Sequence, residues 1–296
     1  MRKKRTAIAA MENGNQPTRG ITKTELAKKL GISRASLYYH HKRPAVDEEV
    51  KRHIESVLTD HPSYGHKRIA LELKLNKKRI LRVMKKFGIK PYRRRVRRPA
   101  KPDDLGKPPA TVPNITKMLC PIAPCIVHVS DFTYIRYQER FIYLATVMDQ
   151  FTREIVGWNI SRYHNKALVI GALLDAMKRT NGKAPHYIHS DQGSEYDAED
   201  YMVITISYGI TISMSDKHSP WQNPFQESFY SHFKVDLGDP ERFPSLPELI
   251  ETIHQQIVEY NTNRIHTVLK TTPEQFRTRW ELRQQTSDMA FRKLGT

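Results

Sequence analysis

Residues 115–245 carry two hydrophobic periods, one typical of strands and one typical of helices. Apolar and β-branched runs at Ile126–Tyr137, Phe141–Met148 and Glu154–Ser161 are joined by short turns, so they predict an antiparallel meander. The pattern then alternates, with predicted helices at 167–179, 197–208 and 225–235 and predicted strands at 186–190 and 210–214. Three antiparallel strands followed by this alternation are the order of a ribonuclease H-like domain, an α/β fold with a mixed sheet.

The first hundred residues show helical periodicity only. Lys23–Leu30, a turn at Gly31 and a second segment at Arg34–His41 predict a helix-turn-helix, with a plain helical hairpin as the alternative. Apolar stripes at 46–59, 67–74 and 77–87 predict three further helices. The sequence therefore predicts all-α modules ahead of the α/β domain.

The positive charge of the chain is confined to one end. The sequence holds 49 Lys and Arg against 31 Asp and Glu, a net charge of +18, and residues 1–100 contain 28 of the basic and 8 of the acidic residues. General solubility would not confine the charge in this way, so the pattern predicts a nucleic-acid-binding region. Phosphate contacts are expected at Arg34, Lys77, Lys78, Arg79, Arg82, Arg93, Arg94, Arg95, Arg97 and Arg98.

Prolines and caps indicate the domain boundaries. Five prolines within Pro99–Asn114 disfavour a helix and predict a semi-rigid linker. Ser245 and Glu248 form a capping-box pattern, which predicts a helix that reaches about Tyr260. We expect a basic arm with the first helix-turn-helix (1–44), a second helical DNA-binding module (45–98), the linker (99–114), the ribonuclease H-like domain (115–245) and a C-terminal helical extension (246–296).

Three carboxylates stand out by their positions. Asp131 interrupts an apolar strand, Asp191 follows a predicted strand, and Glu227 lies on a predicted helix. Any one of them alone is most often a solvated side chain. Carboxylates that a sheet brings to one edge, however, are the ligands of a two-metal phosphoryl-transfer site. The pattern therefore predicts Asp131, Asp191 and Glu227 as catalytic residues and as ligands of two divalent cations.

The helix of Glu227 carries two further polar candidates on the same face. Asn223 lies four residues earlier and Lys234 seven residues later. An amide and an ammonium in one row with a carboxylate suit contacts with DNA, although an ordinary surface lysine is the alternative for Lys234. Among the other acidic residues, Glu195 is a candidate supporting ligand and Asp149 is better interpreted as a turn residue.

The motifs make the chain similar to the second-frame (OrfB-type) transposases of the IS-three family of bacterial insertion sequences, within the retroviral-integrase-like DDE superfamily. The resemblance covers nearly the whole chain and rests on Tyr64–Ile69, Asp131–Ile135, Arg153–Trp158, His189–Tyr196, Glu227–Phe229 and on Asp149, Asn223, Lys234, Tyr260, Asn261, Arg264, His266, Leu269, Thr272 and Pro273. Gln222 and Ile265 depart from the family pattern, and neither is one of the three carboxylates.

The resemblance implies that Asp131, Asp191 and Glu227 are a catalytic triad that uses Mg²⁺, for which Mn²⁺ can substitute. It implies cleavage at transposon ends and transfer of the freed 3′-hydroxyl into DNA. The expected partners are double-stranded DNA (transposon ends and target), further copies of the chain in a homodimer or higher oligomer, and a first-frame protein. The alternatives are a structure-specific nuclease on the same fold and a DNA-binding regulator with an idle catalytic domain.

The remaining composition excludes several classes of protein. Cys120 and Cys125 are too few for a disulfide framework, and without partner ligands the pair does not predict a zinc site. No apolar run approaches the length of a membrane span, and the basic start is followed by too short an apolar stretch for a signal peptide. We expect a cytoplasmic, prokaryotic, nucleoid-associated protein without a membrane partner.

Overall fold

The computed structural model describes residues 23–31, 33–34, 43–93, 112–216 and 219–294. Its contacts divide the chain into two compact units, one that ends at Arg52 and one that starts at His53. In the first unit, helix α1 spans Lys23–Leu30 and is followed by a turn at Gly31, whose φ of 61° suits glycine. This confirms the first helix of the predicted helix-turn-helix. Residues 35–41 of its second helix lie outside the described residues.

Three helices follow in the chain: α2 (Arg43–Asp60), α3 (His66–Glu72) and α4 (Lys77–Phe87). Helix α4 has the predicted bounds, since the Asn76 side chain accepts from Lys78 N at 2.8 Å at its start and Gly88, with a φ of 68°, closes its end. Helix α3 was expected to continue to Lys74. It ends two residues earlier because the backbone of Lys74 takes a left-handed φ of 52°.

The sheet and its helices follow in the chain as β1 (Val127–Tyr137), β2 (Arg140–Asp149), β3 (Ile155–Ser161), α5 (Lys166–Arg179), β4 (Tyr187–Ser190), α6 (Glu199–Ser207), β5 (Thr211–Met214) and α7 (Pro224–Leu237). Across the sheet the strand order is β3-β2-β1-β4-β5. Strand β2 is antiparallel to β1 and β3, whereas β4 is parallel to β1 and β5. This confirms the predicted ribonuclease H-like mixed sheet.

Two helices complete the chain, α8 (Leu246–Thr262) and α9 (Pro273–Leu294). Ser245 caps α8, because its hydroxyl donates to Glu248 Oε1 at 2.9 Å and accepts from Glu248 N at 3.4 Å. This confirms the predicted capping box. The sequence predicted one helix to about Tyr260 within a helical extension, and the structure adds α9 as a second, longer helix.

Helices cover both faces of the sheet. On one face, Phe229 of α7 and Ile253 of α8 share a buried core with Val129 of β1. On the other face, α5 packs closely on β3 at Gly157. A Cβ at Gly157 would lie 2.4 Å from the carbonyl oxygen of Ala172, so glycine is required for this approach.

Tyr64 connects the segment before α3 to the segment after α8, in the same compact unit as the sheet. Its side chain is completely buried, and its hydroxyl accepts a hydrogen bond from Ile265 N at 2.8 Å. Arg264, also buried, donates to Ser63 Oγ at 2.6 Å and to Asp236 of α7. The α3–α4 segment and the sheet therefore pack together.

Two further expectations concern the linker and membrane-spanning helices. The linker predicted at Pro99–Asn114 lies mostly outside the described residues, so the predicted domain boundaries stay a prediction. Of the helices that the structure describes, none is both long enough and apolar enough to cross a bilayer.

Candidate active site

Asp131 lies in the middle of β1, opposite Thr146 of β2. Its Oδ1 accepts a hydrogen bond from the amide of Phe132 at 2.8 Å. Burial first, and then the negative charges of Asp191 and Glu227, raise the pKa of Asp131 from 3.8 to about 7. Because Asp191 and Glu227 act on Asp131 through their charges, the three carboxylates that the sequence singles out lie near one another.

Asp191 reaches this place through the parallel pairing of β4 with β1. The register pairs Val129 of β1 with His189 of β4. Asp131 and Asp191 each follow these partners by two residues, so they lie side by side where the β1–β4 pairing ends. Asp191 directly follows β4, and its Oδ1 accepts from Gly193 N at 3.1 Å. The side chain lies at the exposed rim of the site.

Glu227 is positioned by hydrogen bonds between α7 and β1. Two side chains of α7 and that of Asn223, the residue before the helix, donate to carbonyl oxygens of successive β1 residues: Gln226 Nε2 to Val129 O (2.7 Å), Asn223 Nδ2 to Ser130 O (3.3 Å) and Tyr230 Oη to Asp131 O (2.7 Å). These donors share one face of α7, and Glu227 lies beside that face in the first turn of the helix. These hydrogen bonds therefore fix the position of α7, and with it Glu227, along the direction of β1.

Glu195 is a fourth carboxylate beside Asp191. It is buried, and its Oε1 lies 3.0 Å from His164 Nε2 and accepts from Ser194 Oγ at 3.1 Å. A Cβ at Gly193 would lie 2.9 Å from Glu195 Oε2 and 3.1 Å from Asp191 Oδ1. Burial, and after it the charge of Glu195, raise the pKa of Asp191. The four-residue spacing was the only sequence signal for this neighbour, and it carries no information on burial.

The two other residues predicted near Glu227 are Lys234 of α7 and Asn223, which precedes α7, and their surroundings differ. Lys234 lies with its Nζ 4.7 Å from the centroid of the Tyr134 ring, and its charge lowers the pKa of Asp131, so it is near the site. Asn223 is buried, and its amide nitrogen bonds to Ser130 O. Asn223 therefore links the start of α7 to β1, and the DNA contact predicted for it stays a prediction.

The predicted phosphate contacts are partly described. Arg34, Lys77, Lys78, Arg82 and Arg93 are exposed, and Arg79 is half-buried. The run at Arg94, Arg95, Arg97 and Arg98 lies outside the described residues. Asp149 is a turn residue as interpreted, since its Oδ1 accepts from the amides of Phe151 and Thr152 at 2.9 and 2.7 Å.

Comparison with known proteins gives matches along most of the chain. Residues 123–220 and residues 208–273 match two integrase core domain families. The chain is 32% identical over 265 residues to the insertion element IS600 uncharacterized 31 kDa protein of Shigella sonnei, a match that covers 85% of this chain and 97% of that protein. It is 32% identical over 241 residues to the transposase for insertion sequence element IS904 of Lactococcus lactis, covering 77% and 94%.

Among solved structures, the chain is similar to the HTLV-2 integrase catalytic core domain in complex with magnesium, with 19% identity and a TM-score of 0.41 over 53% of this chain and 98% of that one. Membership rests on the IS600 and IS904 relatives, which the chain matches over almost their whole length. The chain belongs to the IS-three family of insertion-sequence transposases, and DNA transposition by its DDE-type catalytic domain is its activity.

Proposed function

We propose that Asp131, Asp191 and Glu227 are the catalytic triad of this transposase and the ligands of two Mg²⁺ ions, for which Mn²⁺ can substitute. The observation that carries the proposal is the parallel pairing of β1 with β4, which places Asp191 beside Asp131, and the pKa of Asp131, which burial and the two other carboxylates raise to about 7, agrees with it. Carboxylates that repel one another in this way are the groups that a divalent cation stabilises most.

The donor set fits magnesium. All three side chains offer carboxylate oxygens, which are the hard ligands that Mg²⁺ prefers, and two of them, Asp191 and Glu227, are exposed to entering ions and DNA. When bound, the ions supply activation of the attacking oxygen and stabilisation of the leaving oxygen. The protein orients the ligands. The hydrogen bond from Gln226 to Val129 O positions the helix that carries Glu227, and the Gly193 amide donates to Asp191 Oδ1.

We assign the DNA backbone next to the scissile bond to a groove of about 660 Å³ that Tyr134, Arg136, Lys234 and Arg242 line. Lys234 follows Glu227 by seven residues, which is about 10.5 Å along a helix. The contact between its ammonium and the Tyr134 ring holds the positive charge at the groove, where it acts on a phosphate as a point charge. We further propose that the chain works as a homodimer or higher oligomer on transposon ends and target DNA.

Incubation of the full chain with labelled transposon-end duplex and Mg²⁺ tests the triad. We expect Asp131→Asn, Asp191→Asn and Glu227→Gln each to reduce cleavage and joining by roughly 1,000-fold or more while DNA binding persists, because metal ligands act as a unit. Asp197→Asn, which removes an exposed carboxylate just beyond this group, is the matched control and should keep full activity.

The products separate the possible activities. Joined products identify a transposase reaction, nicks without joining would favour a nuclease, and binding alone would favour a regulator. Near-normal cleavage by any triad variant would remove that residue from the proposed triad, and full activity in excess EDTA would exclude the metal.

A further inference from the structure

A second cluster of ligand-type side chains lies on the opposite face of β1 from the triad. Cys125 precedes β1, and the ladder pairs His128 of β1 with Asp149 of β2. One ligand atom from each lies within 4.8 Å of the other two. His128 precedes Asp131 by three residues, which turns its side chain to the other face at a distance of about 10 Å along the strand. The cluster is therefore separate from the triad.

The imidazole of His128 faces Asp149, its ion-pair partner when protonated, but makes no hydrogen bond of good geometry among the described residues. It has no exposed surface, and among the described residues neither of its ring nitrogens has a hydrogen-bond partner. Its Nε2 lies 3.5 Å from Asp149 Oδ2, which is longer than a good N–H···O bond. Buried imidazole nitrogens are normally satisfied, so a fully buried ring aimed into the cluster points to a missing partner.

The Asp149 carboxylate is oriented towards this ring. Its Oδ1 is held by the turn after β2, through the Phe151 and Thr152 amides and the Thr152 hydroxyl at 3.1 Å. Its Oδ2 accepts from Cys125 N at 2.7 Å and faces His128. Hydrogen bonds therefore orient both oxygens of Asp149, as is usual for a metal-ligating carboxylate, and Oδ2 is the oxygen that faces the cluster.

The Cys125 thiol completes the set. Cys125 is half-buried, and its sulfur lies within 4.8 Å of a ligand atom of His128 and of one of Asp149. A cavity of about 500 Å³ opens onto Cys125 and Asp149, which gives an ion and a water molecule a path to the cluster.

We propose that Cys125, His128 and Asp149 bind one thiolate-accepting divalent cation, with Zn²⁺ as the best match and water from the adjoining cavity as the fourth ligand. Sulfur, imidazole and carboxylate donors form the usual mixed set of zinc sites, whereas Mg²⁺ takes oxygen ligands. Binding forms a metal–sulfur bond and releases the thiol proton to solvent. The ion joins the start of β1 to the end of β2, and the site is independent of the triad.

Cobalt titration of the full chain tests the proposal, because a Co²⁺–thiolate bond gives a near-ultraviolet charge-transfer band that carboxylates cannot produce. The measurement uses Cys120→Ser, which removes the exposed second thiol, in excess Mg²⁺. We expect one equivalent of Co²⁺ to give the band and Zn²⁺ to abolish it, and we expect no band in the matched double variant Cys120→Ser with Cys125→Ser. A Cys120→Ser protein without the band would overturn the proposal, as would a band that survives Cys125→Ser.

Alkylation of the unmodified chain gives a second readout that needs no substitution in the buried part of the site. We expect Zn²⁺ to slow iodoacetamide labelling of Cys125 at least tenfold, to leave Cys120 unchanged, and to lose its effect when a chelator is added. Equal labelling rates of Cys125 with and without Zn²⁺ would contradict the site.

Discussion

Asp131 couples the folding of this chain to pH. Its pKa rises from 3.8 to about 7 on folding, so the folded protein holds the proton more tightly than the unfolded chain does. Between these two values the unfolded chain binds fewer protons, and the free energy of unfolding therefore falls as the pH rises from about 4 to about 7. Without a divalent cation, the site is a source of instability at neutral and alkaline pH.

We expect Asp131→Asn to be more stable than the unmodified chain at pH 8 in EDTA, by at most about 4 kcal/mol, because the amide carries no charge. The difference should disappear below about pH 4, where Asp131 is protonated in both states. Urea unfolding at the two pH values measures it. Asp197→Asn, at an exposed position, should show no comparable change, and equal stabilities of Asp131→Asn and the unmodified chain at pH 8 would mean that folding does not raise the pKa of Asp131.

At the scale of elements, the hydrogen bond between Ile265 N and the Tyr64 hydroxyl connects the segment before α3 to the part of the chain that follows α8. We expect Tyr64→Phe to lower the free energy of unfolding by about 1–3 kcal/mol, because the half-buried amide of Ile265 loses its acceptor, the hydroxyl of the fully buried Tyr64. Tyr92→Phe changes a side chain that is 61% exposed and is the matched control. Denaturant unfolding compares the two variants, and a Tyr64→Phe protein as stable as the control would mean that the hydrogen bond contributes nothing.

Most elements were predictable because each sets its own period. Strands β1 to β3 are apolar, β-branched runs joined by short turns, and α4 has its cap residues at both ends. The end of α3 was not predictable, because the left-handed backbone at Lys74 leaves no mark in the hydrophobic pattern. Helix α9 was predicted only as part of an extension, since its polar residues weaken the apolar stripe.

The sequence predicted the candidate site as three carboxylates, but it did not predict the side chains around them. The spacing of Asn223 and Glu227 suggested a shared role, yet the amide bonds to Ser130, 93 residues away in the chain. Contacts of this kind depend on how α7 packs on β1. For the same reason, the sequence interpreted Cys125 as an ordinary thiol, because its neighbours His128 and Asp149 meet only through the strand register.

At the scale of the whole molecule, the basic first hundred residues predict how DNA affinity depends on salt. We expect the double variant Lys77→Ala with Lys78→Ala, which removes two exposed charges from the start of α4, to reduce the log–log salt slope by up to about 1.8, or about 0.9 for each phosphate left unneutralised. The pair Lys178→Ala with Lys183→Ala removes the same charge around the end of α5 and should leave the slope unchanged. Binding titrations over a range of salt concentrations measure both, and equal slopes would contradict DNA binding through α4.

The parallel pairing of β4 with β1 also decides when the proposed triad comes into existence during folding. The meander of β1, β2 and β3 closes through short turns and can form early, but it carries Asp131 alone. Asp191 joins only after the chain has crossed over through α5, and Glu227 only after α7 has packed, and such non-local contacts form slowly. A chain in which only the meander has formed therefore carries the first carboxylate but not the proposed triad, and the proposed activity requires the complete β1–β4 pairing and α7.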